Sequence, residues 1–437
     1  MSFKLKNIQL FLFSTCVFST SVINAAEWKT EPSLFFKTQY NDNVRMRADN
    51  NNPESSTGFT LEPRVKFSGE EQYLWDMYID ARGVVTRFQD VEDADSDNAF
   101  FVFDGGKQTE RSDWRLNTSF ERNSNFDTDF DTENPDAGLL DDHTERKTAT
   151  VSPSVKWSMS ETSQIVFSLN STDVSFDEVS STNLENYDFD SASFNAYWLV
   201  QENHKLGFTG TYSEYDSPGA NFYFDQSVFQ LDYTYTINPI SNLSVSFGER
   251  SLDSTIGVTQ ACVANGVTVP IASFSSGVCP ETTTQPSTGQ VFLVTPIVEE
   301  VSNDDDGIVV NITYFSKTET TSHSIVSGRK IIPSSFGSAQ EERSATYQFS
   351  INNTERLTTS LILSGSETET VSGIDSSNDR TRYRIEPSLT YKLNRNWNIN
   401  LRYRFIEQNI SNSDEDSISN AVFVNLYLHW PKLVTTY

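Results

Sequence analysis

What most restricts the fold of this chain is a strict two-residue alternation of apolar and polar side chains, repeated almost from end to end. Its clearest copy runs from Thr381 to Phe405, TRYRIEPSLTYKLNRNWNINLRYRF. Tyr383, Ile385, Leu389, Tyr391 and Leu393 are apolar or aromatic, with Pro387 on their parity. Arg382, Arg384, Glu386, Ser388, Thr390 and Lys392 stand between them. Past a turn around Asn394–Asn396, Trp397, Ile399, Leu401, Tyr403 and Phe405 alternate with Asn398, Asn400, Arg402 and Arg404. Successive side chains of a strand leave opposite faces, so this hairpin has one greasy wall and one charged wall. A single copy would suit a soluble sandwich, whose apolar face meets a second sheet. Recurrence along nearly the whole chain, with aromatics framing each greasy face, is the pattern of a barrel with lipid outside and water inside.

Composition agrees. Aromatics make up 13% of the chain while mean hydropathy is −0.46. No stretch beyond the N-terminus approaches the roughly 20 consecutive apolar residues of a spanning helix. A barrel reconciles these facts because half of its strand residues are polar and face inward. The 437 residues would allow two or three domains on length alone, but large barrels are a recognised exception and no linker interrupts the pattern.

Lys4 and Lys6, an apolar run from Ile8 to Val22, and Asn24-Ala25-Ala26-Glu27 read as a secretory signal peptide over residues 1–26. Cys16 lies in that run without a lipoprotein box. Removing the segment takes away two lysines and no acids, moving the net charge from −28 to −30. Such an acid excess argues against nucleic acid as a partner, since phosphates need Lys and Arg. Two cysteines remain, Cys262 and Cys279, and in an exported protein they are expected to form a disulfide.

Along the chain, Phe59, Leu61, Pro63, Val65 and Phe67 face out against Glu62, Arg64 and Lys66. Trp75, Met77, Ile79 and Ala81 oppose Asp76, Tyr78, Asp80 and Arg82, and Trp114, Leu116 and Phe120 oppose Arg115, Asn117 and Glu121. The tally reaches about 18 strands within a range of about 16–18, an even number as bacterial single-chain barrels require. Connections alternate between short, as at Ser68–Gln72 and Asn394–Asn396, and long and acidic, as at Asn123–Glu145. The expected fold is therefore all-β. It is a transmembrane antiparallel up-and-down β-barrel over residues 27–437, with short periplasmic turns, long external loops, and the longest loop at about residues 253–306. The expected setting is the outer membrane of a Gram-negative bacterium, with its lipid and lipopolysaccharide as partners.

An internal echo, Leu61-Glu62-Pro63-Arg64-Val65, Val151-Ser152-Pro153-Ser154-Val155 and Ile385-Glu386-Pro387-Ser388-Leu389, puts proline in mid-strand three times. Proline cannot donate to a ladder, so a bulge or a local weakness is expected there.

Tyr40-Asn41-Asp42-Asn43-Val44, followed by the Thr57–Phe67 strand with its Leu61-Glu62-Pro63, resembles the start of the beta-barrel porin 2 family. Those are outer-membrane barrels of proteobacteria, often encoded beside exopolysaccharide and exosortase systems. The resemblance implies an outer-membrane barrel with a role in polysaccharide export or general permeation, and polysaccharide export machinery as a partner. It supplies no catalytic residues, and the Cys262–Cys279 segment has no counterpart in it.

A barrel of 16–18 strands leaves an aqueous channel unless something plugs it. The expected lumen residues include Glu62, Arg64, Lys66, Asp76, Asp80, Arg82, Arg115, Glu121, Lys156, Asp232, Arg382, Arg384, Glu386, Arg402 and Arg404. Facing walls of opposite sign would set a transverse field and selectivity, while the plainer alternative is that these charges pair and only solvate the wall. Arg382, Arg384, Arg402 and Arg404, on two adjacent strands, repel one another unless an anion or an acidic wall compensates them. An acidic sugar polymer could be that anion.

Asp127, Asp129 and Asp131 alternate in a loop with oxygen-rich spacing that suits Ca²⁺. Thr132 and Gly138 stand where an EF-hand needs Gly and Glu, so no metal site is expected, and no cofactor either. Catalysis would need a histidine-based site at the rim, and His143, His204, His323 and His429 lack a convincing Ser or Asp neighbour. The Cys262–Cys279 staple would close about 18 residues, worth roughly 3 kcal/mol in the chain-entropy model. It suggests a lid or receptor patch, or simply a protease-resistant loop. Two functions follow: a channel for polar solutes, with exopolysaccharide export as its finer form, or a plugged barrel serving as receptor or scaffold through the stapled loop.

Overall fold

Each alternating stretch becomes one stave of a single antiparallel sheet. The computed structural model describes residues 27–48, 52–71, 74–124, 144–177, 184–264, 267–270, 282–284, 291–372, 379–411, 416–430 and 433–436, with side chains left out for 258–299 and 435–436. The signal peptide, Asp127, Asp129, Asp131, His143 and Cys279 lie outside the described residues, and the disulfide expectation with them. The strands are β1 (Glu27–Asn41), β2 (Ser56–Glu71), β3 (Trp75–Phe88), β4 (Ser96–Gln108), β5 (Ser112–Ser124), β6 (Glu145–Ser158) and β7 (Ser163–Phe176). They continue with β8 (Tyr187–Gln201), β9 (His204–Ser217), β10 (Phe222–Asn238), β11 (Ser241–Ala264), β12 (Val267–Pro270), β13 (Thr282–Thr284) and β14 (Val291–Lys317). Last come β15 (Thr321–Ser334), β16 (Ser338–Asn352), β17 (Leu357–Ser372), β18 (Arg380–Lys392), β19 (Trp397–Ile410), β20 (Ser417–His429) and β21 (Leu433–Thr436).

Each stave pairs with the next, β11 pairs with β14, and β20 returns to β1 from Ser33 opposite His429 to Asn41 opposite Ala421. The result is a closed up-and-down barrel of 18 staves; β12 and β13 are short additions, and β21 extends the last stave against the start of β1. Closure removes the free edges that an open sheet of this size would expose.

The largest apolar side chains are among the most exposed: Leu231 at 68%, Phe229 at 58% and Phe247 at 55%. A water-facing surface cannot carry so continuous an apolar band, because each such side chain gives up its transfer free energy. At the short-turn end aromatics frame the band. Trp28 stacks on Phe67 at 5.2 Å and meets Trp75 at 5.6 Å, and His204 stacks on Tyr235 at 5.0 Å. His204 and His323 thus belong to an outward girdle, the second beside Tyr347 and Phe349, rather than to a rim site.

The barrel seam is clasped by the Tyr40–Val44 motif. The Asn41 side-chain oxygen accepts from the Asn43 amide at 3.0 Å and the Ser419 hydroxyl at 2.8 Å. Asp42 accepts from the Asn420 amide and side chain at 2.7 and 2.8 Å, and Asn43 donates to the Ile418 carbonyl at 2.9 Å. A run that reads as a polar strand end is thus what ties the first stave to the last.

Two expectations need correction. The segment read as a loop over 253–306 is largely ladder: β11 and β14 stay paired from Leu252 opposite Asp305 to Ala264 opposite Val294, with one register shift near Thr259–Ala261. Acidic residues such as Asp304–Asp306 look like loop because they spoil an apolar face, but above the apolar band both faces of a hairpin can be wet. The mid-strand prolines make no bulge either. Leu61 still opposes Val85 and Arg64 opposes Arg82; likewise Val151 opposes Ser171 and Ser154 opposes Ser168, and Ile385 opposes Phe405 and Ser388 opposes Arg402. Register is kept on both sides of each gap, and only the pairs at the missing N–H are lost, which is the weakness without the bulge.

Candidate functional site

The registers place Glu62, Arg64 and Lys66 on β2, Asp76, Asp80 and Arg82 on β3, and Arg115 and Glu121 on β5 on the face opposite the exposed apolar side chains. The same face holds Lys156 on β6, Asp232 on β10, Arg382, Arg384 and Glu386 on β18, and Arg402 and Arg404 on β19. That face is the lumen.

The lumen has two unlike sides. On the contiguous strands β18–β20 and β1–β3, the arginines Arg382, Arg384, Arg402, Arg404, Arg64 and Arg82 and the lysines Lys37 and Lys66 share the face with the carboxylates Glu386, Glu62, Asp80 and Asp76. The centre of this side is Phe423, 1% exposed on β20. Arg402 lies over its ring at 4.2 Å, Arg404 at 4.9 Å and Lys37 at 5.7 Å. Glu386 accepts from Arg384 at 2.6 Å and Arg402 at 3.4 Å. Arg402 Nε is buried without a hydrogen-bond partner among the described residues. Compensation for this arginine cluster thus comes in part from one carboxylate on β18, which bonds Arg384 and Arg402, and from the negative face of a ring. Farther round, Arg64 donates to Asp80 at 2.8 Å and Arg82 covers Phe100 at 4.1 Å. Arg115, nearer the short turns, bridges Asp76 at 3.0 Å and Asp104 at 2.9 Å.

Strands β6–β11 and β14–β17 line the other side mostly with Ser, Thr and Asn, which bond to one another. Ser152 reaches Asn170 at 2.8 Å, Ser168 meets Ser193 at 2.7 Å, Thr209 donates to Asn195 at 2.8 Å, and Thr234 meets Ser244 at 3.0 Å. Asp232 is held in this network by Thr209 at 2.7 Å and Ser246 at 2.5 Å. The expected walls of opposite sign are therefore a basic wall and a hydroxyl wall. The basic side is a local feature of this face, set against a chain of net charge −28.

At the long-loop end one part of the wall leaves the cylinder. β14 and β15 are paired only from Lys317–Ser322 to Asn311–Gly328; above that β14 follows β11, while β15 and β16 continue as an arm parted from β14 but still laddered to β17 as far as Ala339–Ser372. The arm's tip meets strands that are not its neighbours in the wall. Tyr215 donates to the Ser334 carbonyl at 2.7 Å, and the Glu185 amide donates to the Ser335 carbonyl at 2.7 Å. Val174, Tyr187, Tyr215, Phe222, Phe224, Leu252, Ile331 and Ala339 are buried together there. Sequence reading missed the arm because its contacts are between segments far apart in the chain. It also missed Phe423, although Val422 and Val424 face outward and so force that aromatic inward.

No family model matches the chain, and no curated protein is similar to it, so the likeness to the beta-barrel porin 2 family rests on its own short stretch. Solved barrels do align over most of its length. Pseudomonas aeruginosa OccK2 in complex with glucuronate is 10% identical over 92% of this chain and 98% of that one, with a TM-score of 0.46. Acinetobacter baumannii OccAB2 is 10% identical over 92% and 98%, with a TM-score of 0.45. A BenF-like porin from Pseudomonas fluorescens Pf-5 is 8% identical over 92% and 99%, also at 0.45. At such identities and scores these likenesses carry no conclusion about what this chain transports.

Proposed function

We propose that the protein is an outer-membrane, porin-like channel for small polar solutes that favours anions. The observation that carries this is the guanidinium side of the lumen around Phe423, in a protein otherwise rich in acids. Eighteen staves are enough to enclose a water-filled passage, and a one-sided charge lining sets ion preference. The apolar outward band and its aromatic frame support a bilayer setting, and the alternation of short and long connections supports the outer membrane. The finer reading is export of an acidic exopolysaccharide: its carboxylates would meet the arginines while its hydroxyls meet the Ser/Thr wall.

Planar-bilayer recording under a salt gradient tests both levels. The intact barrel should give steady current with a reversal potential on the anion side. Arg402→Gln with Arg404→Gln should move that potential toward zero; a folded but silent barrel would sink the channel. Unchanged secreted polymer in cells carrying the double variant would remove the export reading alone. A silent barrel would favour the receptor reading, which the β11–β14 hairpin supports by remaining paired with itself from Gly257–Glu300 to Ala264–Val294, beyond both neighbours.

A further inference from the structure

We infer that the β15–β16 arm is a fixed strap that closes the hydroxyl side of the long-loop mouth, so that solutes enter only along the arginine side. The inference rests on the channel reading above and adds what sets its width and path.

Three observations carry it. First, the arm has parted from β14 while staying laddered to β17. The β14–β15 ladder ends at Asn311–Gly328, and Gly328 has no Cβ to strike the Asn311 side-chain oxygen, which would lie 2.3 Å away. Second, the arm crosses on the inside. β11 and β14 stand in the wall between it and β9–β10, yet its tip reaches Tyr215 and the turn after β9. Tyr215, Phe224 and Leu252, all of lumen parity, are 0% exposed beneath it. Gly337 at the tip has φ of +67°, and a Cβ there would lie 2.1 Å from that of Ala220. Third, the arm is anchored. Glu341 and Arg250 are each 3% exposed; Arg250 donates to Glu341 at 2.8 Å and pairs with Asp305 at 2.7 Å, while Arg329 and Arg343 reach the same Glu341. Farther up, Ser254 of β11 meets Ser372 of β17 at 2.5 Å, so β17 leans the same way.

Buried ion pairs and a ten-residue apolar cluster describe a seated element rather than a swinging one. With β7–β11 and β15–β17 joined across the mouth, the rim that stays apart runs from β18 through β20 and β1 to β6. That rim leads to the Arg402–Phe423 centre.

The test removes the strap from the full-length barrel: Arg329 to Arg343 is replaced by an Asn-Gly turn joining Gly328 to Ser344, a two-residue connection suited to a hairpin. Gly337→Val is the second variant, which keeps the length and should unseat the tip. Folding is checked by heat-modifiable migration in gels. The strap reading expects single-channel conductance to rise by about twofold or more in the shortened barrel, with a smaller rise in the point variant and anion preference falling in both. Unchanged conductance in folded variants overturns the strap, and a wider pore of unchanged anion preference overturns the confinement to the arginine side. Silence of the intact protein would instead sink the channel reading, so the two failures are distinct.

Discussion

Phe423 shows how one residue organises a charged wall. A ring of 1% exposure with Arg402 at 4.2 Å and Arg404 at 4.9 Å fixes two guanidinium planes that would otherwise sample many rotamers. Phe423→Ala should destabilise the barrel by about 3 kcal/mol, as large-to-small changes at buried aromatics do. It should also reduce anion preference although no charge is altered; urea unfolding in lipid and reversal potentials read the two effects. Glu185 is a second informative residue. Its amide holds the strap, its carboxylate packs over Gly219, and burial pushes that carboxyl above its ordinary range. An acid whose pKa is raised by docking binds its proton more tightly when docked. Its contribution is complete below the free value and lost as pH rises through the docked one. The seated strap should therefore be more stable as pH falls, seen as slower proteolytic cleavage of the arm, and Glu185→Gln should flatten that dependence.

At the scale of elements, the β1–β20 seam is held by side chains as well as by its ladder. Asp42 takes two hydrogen bonds from Asn420, and losing an acceptor that satisfies partly buried donors costs about 1–3 kcal/mol. Asp42→Ala should lower the gel-shift unfolding temperature while leaving ion preference unchanged. The proline gaps point the other way. Pro387 keeps its pairing with Leu361 on β17 but has none assigned on the β19 side, where its missing N–H would point. Pro387→Val should restore one ladder bond, worth roughly 1 kcal/mol, and raise the unfolding midpoint. An unchanged or lower midpoint would mean that the gap serves the fold.

For the whole molecule, the decisive property is which face meets which solvent. On β10, Leu231 points outward and Gln230 into the lumen. Leu231→Arg should cost about 2–4 kcal/mol at mid-bilayer depth, and Gln230→Arg should cost little and shift ion preference instead. Equal effects on stability would refute the inside-out arrangement. The alternation made this arrangement legible early, because parity is local: once Leu389 and Leu401 face lipid, Arg402 and Arg404 must face water. The strap was not legible, since Gly337 on Ala220 and Glu341 on Arg250 join segments more than ninety residues apart, and nothing in either segment names the other.

The sequence alone determined the sheet, its closure into an even number of staves, and the face taken by the arginines, because a two-residue period admits only one division between hydrocarbon and water. Tertiary structure decided which charges share a ring, that the wall opposite is hydroxyl rather than acidic, and that one arm leaves the cylinder. Those outcomes depend on register summed around the barrel and on packing across the mouth, where distances are set by strands that never meet in sequence.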